Sequence, residues 1–177
     1  MIIAIKGKKN SGKTTFIEKL LEKLKGYSIV VIKSSGHERI DDENKDTFRY
    51  RKAGGKAALI AVKKESVLFM ESMSLEDAIS FVRRKLTPDF IIVEGYESVE
   101  NLKCRVVDVE ENPDVEAIYQ DMIKSLKRRR MEIFVDGKPL PMNEFVEKMM
   151  YNVVKSMLST LKRGEGKEVE ILLRERA

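Results

Sequence analysis

A three-layer α/β fold, a mostly parallel sheet with helices on both faces, is predicted by three observations. The runs "MIIAI", "YSIVVIK" and "DFIIVEGY" are apolar almost throughout, as strands buried on both faces are. The stretches after the first and before the third carry apolar residues at helical spacing. Strand and helix also alternate along most of the chain, which is what parallel pairing requires.

The elements follow in order. "MIIAIKG" reads as a strand ending in glycine. From Thr14 onward Phe16, Ile17, Leu20, Leu21 and Leu24 mark a helix, with Gly26 as its stop. "YSIVVIK" is a second buried strand. The polar segment "SSGHERIDDENKDTFRYRKAGGK" is long for a plain connection; its second half, Lys45 to Ala53, suits a short helix ended by Gly54 and Gly55. "AALIAV" and "SVLFM" read as strands. "SLEDAISFVRRKL" reads as a helix with Ser74 as N-cap and Asp77 three residues later, which resembles a capping box. "DFIIVEGY" and "CRVVDV" supply further strands.

Composition changes after the basic run "KSLKRRR", Lys124 to Arg130. This run follows a helical stretch, where cations offset the helix dipole, so nucleic acid is not the expected partner. Residues 1–130 are taken as the main domain and 131–177 as a small β-α-β appendage. In the appendage, "MEIFVDGKPLPM" is a strand and a turn. Apolar residues at 145, 146, 149, 150, 153, 154, 157, 158 and 161 form one helical stripe behind Asn143 as N-cap. "KEVEILLRE" suits a last strand.

The net charge of +5 is spread over a mixed surface. One cysteine, Cys104, excludes an internal disulfide, and one histidine, His37, excludes a multi-histidine metal site within one chain. No apolar run is long enough to span a bilayer, and the opening run is too short for a signal peptide. A soluble, cytoplasmic protein is expected.

Gly7, Gly12, Lys13 and Thr14 satisfy G-x-x-x-x-G-K-[ST], the P-loop pattern, with a strand running in and an amphipathic helix running out. The glycines let the backbone curl until successive N–H groups face phosphate oxygens. Lys13 reaches the β/γ-phosphates, Thr14 offers its hydroxyl to Mg²⁺, and the helix dipole adds to the attraction. Gly7, Lys9, Asn10, Ser11, Gly12, Lys13, Thr14 and Thr15 are expected to cradle the nucleotide. Lys8 and Lys9 either add charge there or stay solvated. The fold is therefore expected to be of the P-loop NTPase type.

A second metal-side carboxylate is expected at a neighbouring strand end. Glu94 in "FIIVEG" stands where a buried strand gives way to glycine, the edge at which ligands sit in open α/β sheets. The other candidates are Asp41, Asp42 and Asp46. "ENKD" is one residue too short for the N-K-x-D guanine-reading pattern, and Thr47 stands where Asp is required; no base specificity follows from it.

Three blocks in order, "GKKNSGKTT", "VIKSSGHERIDDENKDTFRYRKAGG" and "DFIIVEGY", resemble the molybdopterin-guanine dinucleotide biosynthesis protein B (MobB-type) family over residues 1 to about 110. Lys33 and His37 match the ends of its "KHxHH" block, with Ser34 and Gly36 in place of two histidines. Lys45 and Asp46 match "GKDS". Arg49, Arg51, Ala53 and Gly54 match the next segment, and Glu94 and Gly95 match "VEGFK" with Tyr96 for Phe and Glu97 for Lys. The resemblance implies a GTP-binding protein with at most slow GTPase activity. It would be a homodimeric adaptor beside the guanylyltransferase that joins GMP to molybdopterin. Lys13 would act on the phosphates with Mg²⁺, and Arg49 or Arg51 could stabilise γ-phosphate charge, even across a dimer. The alternative is an ATP-dependent small-molecule kinase with Asp46 as the base for an acceptor hydroxyl. A third reading makes the appendage the functional part and the P-loop a switch. His37 is either a ligand contact or a polar loop residue.

Overall fold

Between Met1 and Lys127 the chain forms, in order, β1 (Ile2–Lys6), α1 (Lys13–Lys23), β2 (Ile29–Lys33), α2 (Asp46–Lys52), β3 (Ala57–Ala61), β4 (Ser66–Met70), α3 (Leu75–Leu86), β5 (Phe90–Glu94), β6 (Arg105–Asp108) and α4 (Val115–Ser125). The structure is a computed structural model. It describes all residues apart from 97–101, 103, 127–130, 163, 165, 167–168, 172 and 174–177. The chain divides into two compact units, Met1–Lys127 and Arg128–Ala177.

β2, β5, β1 and β6 lie side by side in that order, all parallel. Alternate residues of each strand leave opposite faces of the sheet. Ile3, Ile5, Phe90, Ile92 and Val107 meet Phe16, Ile17, Leu20 and Leu24 of α1 with its following residue, and Ile118 and Met122 of α4. Ala4, Ile91 and Val93 meet Leu75, Ile79 and Val82 of α3 on the other face. This is the three-layer P-loop NTPase-type α/β arrangement. Leu20 and Met122 are fully buried, and truncating either to alanine is expected to cost about 2–5 kcal/mol.

β3 and β4 stand apart from this sheet as an antiparallel hairpin, from Ala57↔Met70 to Ala61↔Ser66. Only residues 62–65 join them, too short a link for a parallel crossover. α2 runs one residue shorter at each end than the sequence predicts. It closes where Gly54 takes the left-handed backbone at φ +106° and the Gly55 N–H donates to Tyr50 O at 3.0 Å.

The second unit contains β7 (Phe134–Val135), β8 (Lys138–Pro139) and α5 (Glu144–Ser159). Asp136 and Gly137 both have positive φ, as the tight turn of a two-residue hairpin needs. Asn143 caps α5 as expected, its Oδ1 accepting from the Val146 N–H at 2.9 Å. The expected strand in "KEVEILLRE" falls in large part outside the described residues; Val169, Glu170 and Ile171, which are described, form no strand. Among the described residues no helix is long and apolar enough to cross a membrane.

Candidate functional site

The turn between β1 and α1 is shaped by three residues. Gly7 (φ +144°) leaves no room for a Cβ, which would come within 2.6 Å of both Ser11 Oγ and Val109 Cγ2. Asn10 (φ +66°) and Gly12 (φ +87°) take left-handed backbone. Such positions favour Gly and tolerate Asn. Ser11 N–H donates to Lys8 O at 3.2 Å and tightens the curl.

α1 and α2 both start without a side-chain cap, but α2 carries Asp46 in its first turn. Ser74, Asp114 and Asn143 cap α3, α4 and α5 through side-chain oxygens, whereas no side chain caps α1 and its first turn holds no acid. The positive end of the helix is thereby left open to an anion. The Ser11 hydroxyl is buried without a hydrogen-bond partner among the described residues. Lys13 Nζ curls back onto the loop, donating to Gly7 O at 2.7 Å and Lys8 O at 2.5 Å.

β5 carries Glu94 to the same place. Glu94 is paired with Ile5 on one side and Lys33 on the other, which turns its side chain to the α1 face. It is buried, and its Oε1 accepts from Thr14 Oγ1 at 3.5 Å while Lys33 Nζ lies 3.2 Å away. A cleft of about 1020 Å³ opens over these groups. All the expected cradle residues line it, from Gly7 to Thr15, together with Lys33, Ser34, Ser35 and Gly36 on the β2 side and Glu94, Gly95 and Tyr96 on the β5 side.

The far wall of the loop is held by charge. The Lys8 N–H donates to Glu110 Oε1 at 3.1 Å, and Lys6 Nζ pairs with Asp108 at 3.3 Å. The Glu110 N–H, 3.0 Å from Asp108 Oδ1, holds the Asp108 carboxyl below its ordinary range, with Lys6 adding to the effect.

The remaining candidates lie elsewhere. Asp46 and Arg49 sit on α2, 3.4 Å from each other and largely exposed. Asp46 lines a different cleft, between α2 and the β3–β4 hairpin, and neither residue lines the loop cleft of its own chain. Asp41 is buried and accepts from Thr47 Oγ1 and Arg51 Nη2, both at 2.8 Å. Burial pushes its carboxyl up, but these two hydrogen bonds outweigh burial and hold it below the usual aspartate range. Arg51 also donates to Met70 O at 3.5 Å, so its guanidinium ties the polar segment, α2 and β4 together. Asp42 accepts from the Asn44 N–H at 2.9 Å in a local turn. His37 is exposed, and its N–H donates to Ser35 Oγ at 3.3 Å. Lys33 is the cleft residue that loop spacing cannot reveal; its signal is its place at the end of a strand beside Glu94.

The family model of molybdopterin guanine dinucleotide synthesis protein B matches residues 2–128. The chain belongs to that family. Among relatives, a putative molybdopterin-guanine dinucleotide biosynthesis adapter protein of Methanocaldococcus jannaschii is 26% identical, over 91% of this chain and 92% of its own. One of Bacillus subtilis is 33% identical, over 79% and 83%. The family model stops at residue 128, whereas the M. jannaschii match reaches into the second unit of this MobB-family chain. A crystal structure of molybdopterin-guanine biosynthesis protein B superposes with a TM-score of 0.47 at 23% identity, covering 71% of this chain and 99% of that one. The B. subtilis MobB crystal structure superposes with a TM-score of 0.46 at 22% identity, covering 92% and 98%.

Proposed function

We propose that this MobB-family chain binds Mg²⁺-GTP in the loop cleft and acts in the cytoplasm as an adaptor for guanine dinucleotide attachment to molybdopterin. The observation that carries the reading is the convergence of Lys13, Thr14 and Glu94, from two distant elements, on one cleft at the uncapped start of α1. Guanine is favoured over adenine because the relatives carry a guanine dinucleotide product in their names. In this reading residues 1–130 bind the nucleotide and 131–177 are a C-terminal extension.

The residues present fit both groups. A partnerless buried hydroxyl at Ser11 and a glycine whose Cβ would fill the curl suit a phosphate cradle. Thr14 Oγ1 and the Glu94 carboxylate are hard oxygen donors, which suit Mg²⁺. Bound there, Mg²⁺ would supply positive charge to the β- and γ-phosphate oxygens. Lys13 would leave the carbonyls of Gly7 and Lys8 for the phosphates, and the loop amides would hold their oxygens. Among the described residues of one chain, the cleft holds no second carboxylate to serve as a base for an acceptor hydroxyl, since Asp46 faces the other cleft. That arrangement supports slow turnover and an adaptor in preference to a kinase.

The same reading includes a homodimer with a guanylyltransferase as the outside partner. The cross-strand pair Leu59 and Leu68 is exposed on one face of the β3–β4 hairpin, and Ile60 and Val67 are exposed on the other; the first pair, the more exposed, offers an apolar face to a second copy.

The test is calorimetric titration of the full chain with Mg²⁺-GTP and Mg²⁺-ATP, paired with steady-state hydrolysis. Tighter binding of GTP with slow hydrolysis is expected. Preference for ATP, with rapid hydrolysis once a small acceptor is added, would overturn it.

A further inference from the structure

Glu94 Oε1 has two neighbours that a bound metal would not leave together. One is Thr14 Oγ1, at 3.5 Å. The other is the Lys33 ammonium, at 3.2 Å. The parallel pairing of β2 with β5 sets Lys33 directly beside Glu94, so both side chains leave the sheet on the α1 face. The two are unequal in freedom: the Glu94 side chain is 9% exposed and the Lys33 side chain 58%. The carboxylate is fixed, while the ammonium reaches it from the open side of the cleft on a flexible stem. Lys13 is not a substitute, because its ammonium is engaged by Gly7 O and Lys8 O.

We infer that Lys33 is the exchangeable counter-ion of Glu94: it neutralises the carboxylate when no metal is present and leaves it when Mg²⁺ is bound between Thr14 and Glu94. This rests on the reading of the cleft as a Mg²⁺-nucleotide site. An ammonium and Mg²⁺ on the same carboxylate oxygen repel each other strongly, so Oε1, which faces both Thr14 and Lys33, holds one of them at a time. A buried carboxylate left bare would in turn repel the polyphosphate arriving beside it. Lys33 removes that repulsion and makes nucleotide capture tolerant of metal loss. It is a positioning residue, acting through Glu94.

The experiment is equilibrium titration of a fluorescent guanosine diphosphate into the full chain, once in saturating Mg²⁺ and once in EDTA, for the parent, Lys33→Met and Lys33→Arg. Lys33→Met is expected to lose about tenfold in affinity in EDTA and to stay within about threefold of the parent in Mg²⁺. Lys33→Arg is expected to restore binding in EDTA, since it keeps the charge. Equal losses in both conditions would overturn the inference by making Lys33 a direct phosphate contact, and so would the absence of any loss in EDTA. A parent that binds nucleotide in neither condition would overturn the reading of the cleft and the inference with it. Unfolding of the nucleotide-free variants separates these outcomes from misfolding: each should melt in one cooperative step, Lys33→Met below the parent because Glu94 loses its counter-ion and Lys33→Arg close to it.

Discussion

Thr14 and Glu94 lie eighty residues apart in sequence, yet the hydroxyl of one stands 3.5 Å from the carboxylate of the other. The first is set by the start of α1 and the second by the end of β5. Their meeting is a property of the parallel sheet, because both element ends lie at the same edge. Glu94→Gln keeps the shape and a hydrogen-bond acceptor but removes the charge. We expect the Mg²⁺ concentration for half-maximal GTP binding to rise about tenfold, equivalent to about 1.4 kcal/mol. Titration of Mg²⁺ at fixed nucleotide checks this; an unchanged midpoint removes Glu94 from the metal side.

Lys13→Ala removes the ammonium now held by Gly7 O and Lys8 O. A ligand at a hundredfold excess over its Kd stabilises the folded state by about 2.7 kcal/mol. For a chain of this size that is a rise in Tm of about 5–11 °C. Mg²⁺-GTP should produce this rise in the parent and little of it in the variant, read by differential scanning calorimetry.

Gly7→Ala places a methyl group 2.6 Å from Ser11 Oγ and Val109 Cγ2 at a φ that L-residues rarely adopt. A loss of about 1–3 kcal/mol in urea unfolding is expected, together with loss of nucleotide binding. Retention of both would mean that the loop relaxes around the methyl group.

Asp41→Asn tests the charged link between the polar segment, α2 and the hairpin. Hydrogen bonds from Thr47 and Arg51 overcome the effect of burial and hold the Asp41 carboxyl below its unfolded value. Its contribution is therefore complete above the unfolded value of about 3.9 and is lost as pH falls through the lower folded value. The amide removes that contribution, so the parent should be more stable than the variant at pH 7. The gap should close as the pH falls below about 4, as measured by urea midpoints across pH. A gap that stays constant would show that the charge of Asp41 is not what matters.

Leu68→Lys introduces a charge into the face of the hairpin that carries Leu59 and Leu68. A dimer assembled through that face should dissociate, seen as a lower mass in sedimentation equilibrium. An unchanged mass would place the contact elsewhere.

Where residues within a few positions of each other decide the structure, sequence and fold agree. The apolar strand runs and the Ser74 and Asn143 caps are of this kind. The place of Glu94 is legible because a buried strand ending in an acid and a glycine marks a sheet edge. The separate β3–β4 hairpin is legible only in part: its strands show in the sequence, but their pairing follows from the four-residue link between them. Asp41 and Arg51 look like loose members of a polar segment, because their partners, Thr47 and Met70 O, are fixed by how that segment folds over α2. Lys33 shows in the sequence only as one end of a family block, since its neighbour in space is set by strand order. The kinase alternative makes Asp46 a base, and Arg49 or Arg51 is offered for γ-phosphate charge, even across a dimer; within one chain Asp46 lines another cleft and neither arginine lines the loop cleft.

The left-handed backbone at Asn10 and Gly12 has a kinetic consequence. Left-handed residues at both positions set the backbone curl before any guest arrives, so capture asks only side chains such as Lys13 to move. Variants around the loop should therefore differ in how long the guest stays, with arrival rates nearly constant. Residence time would then act as the protein's clock.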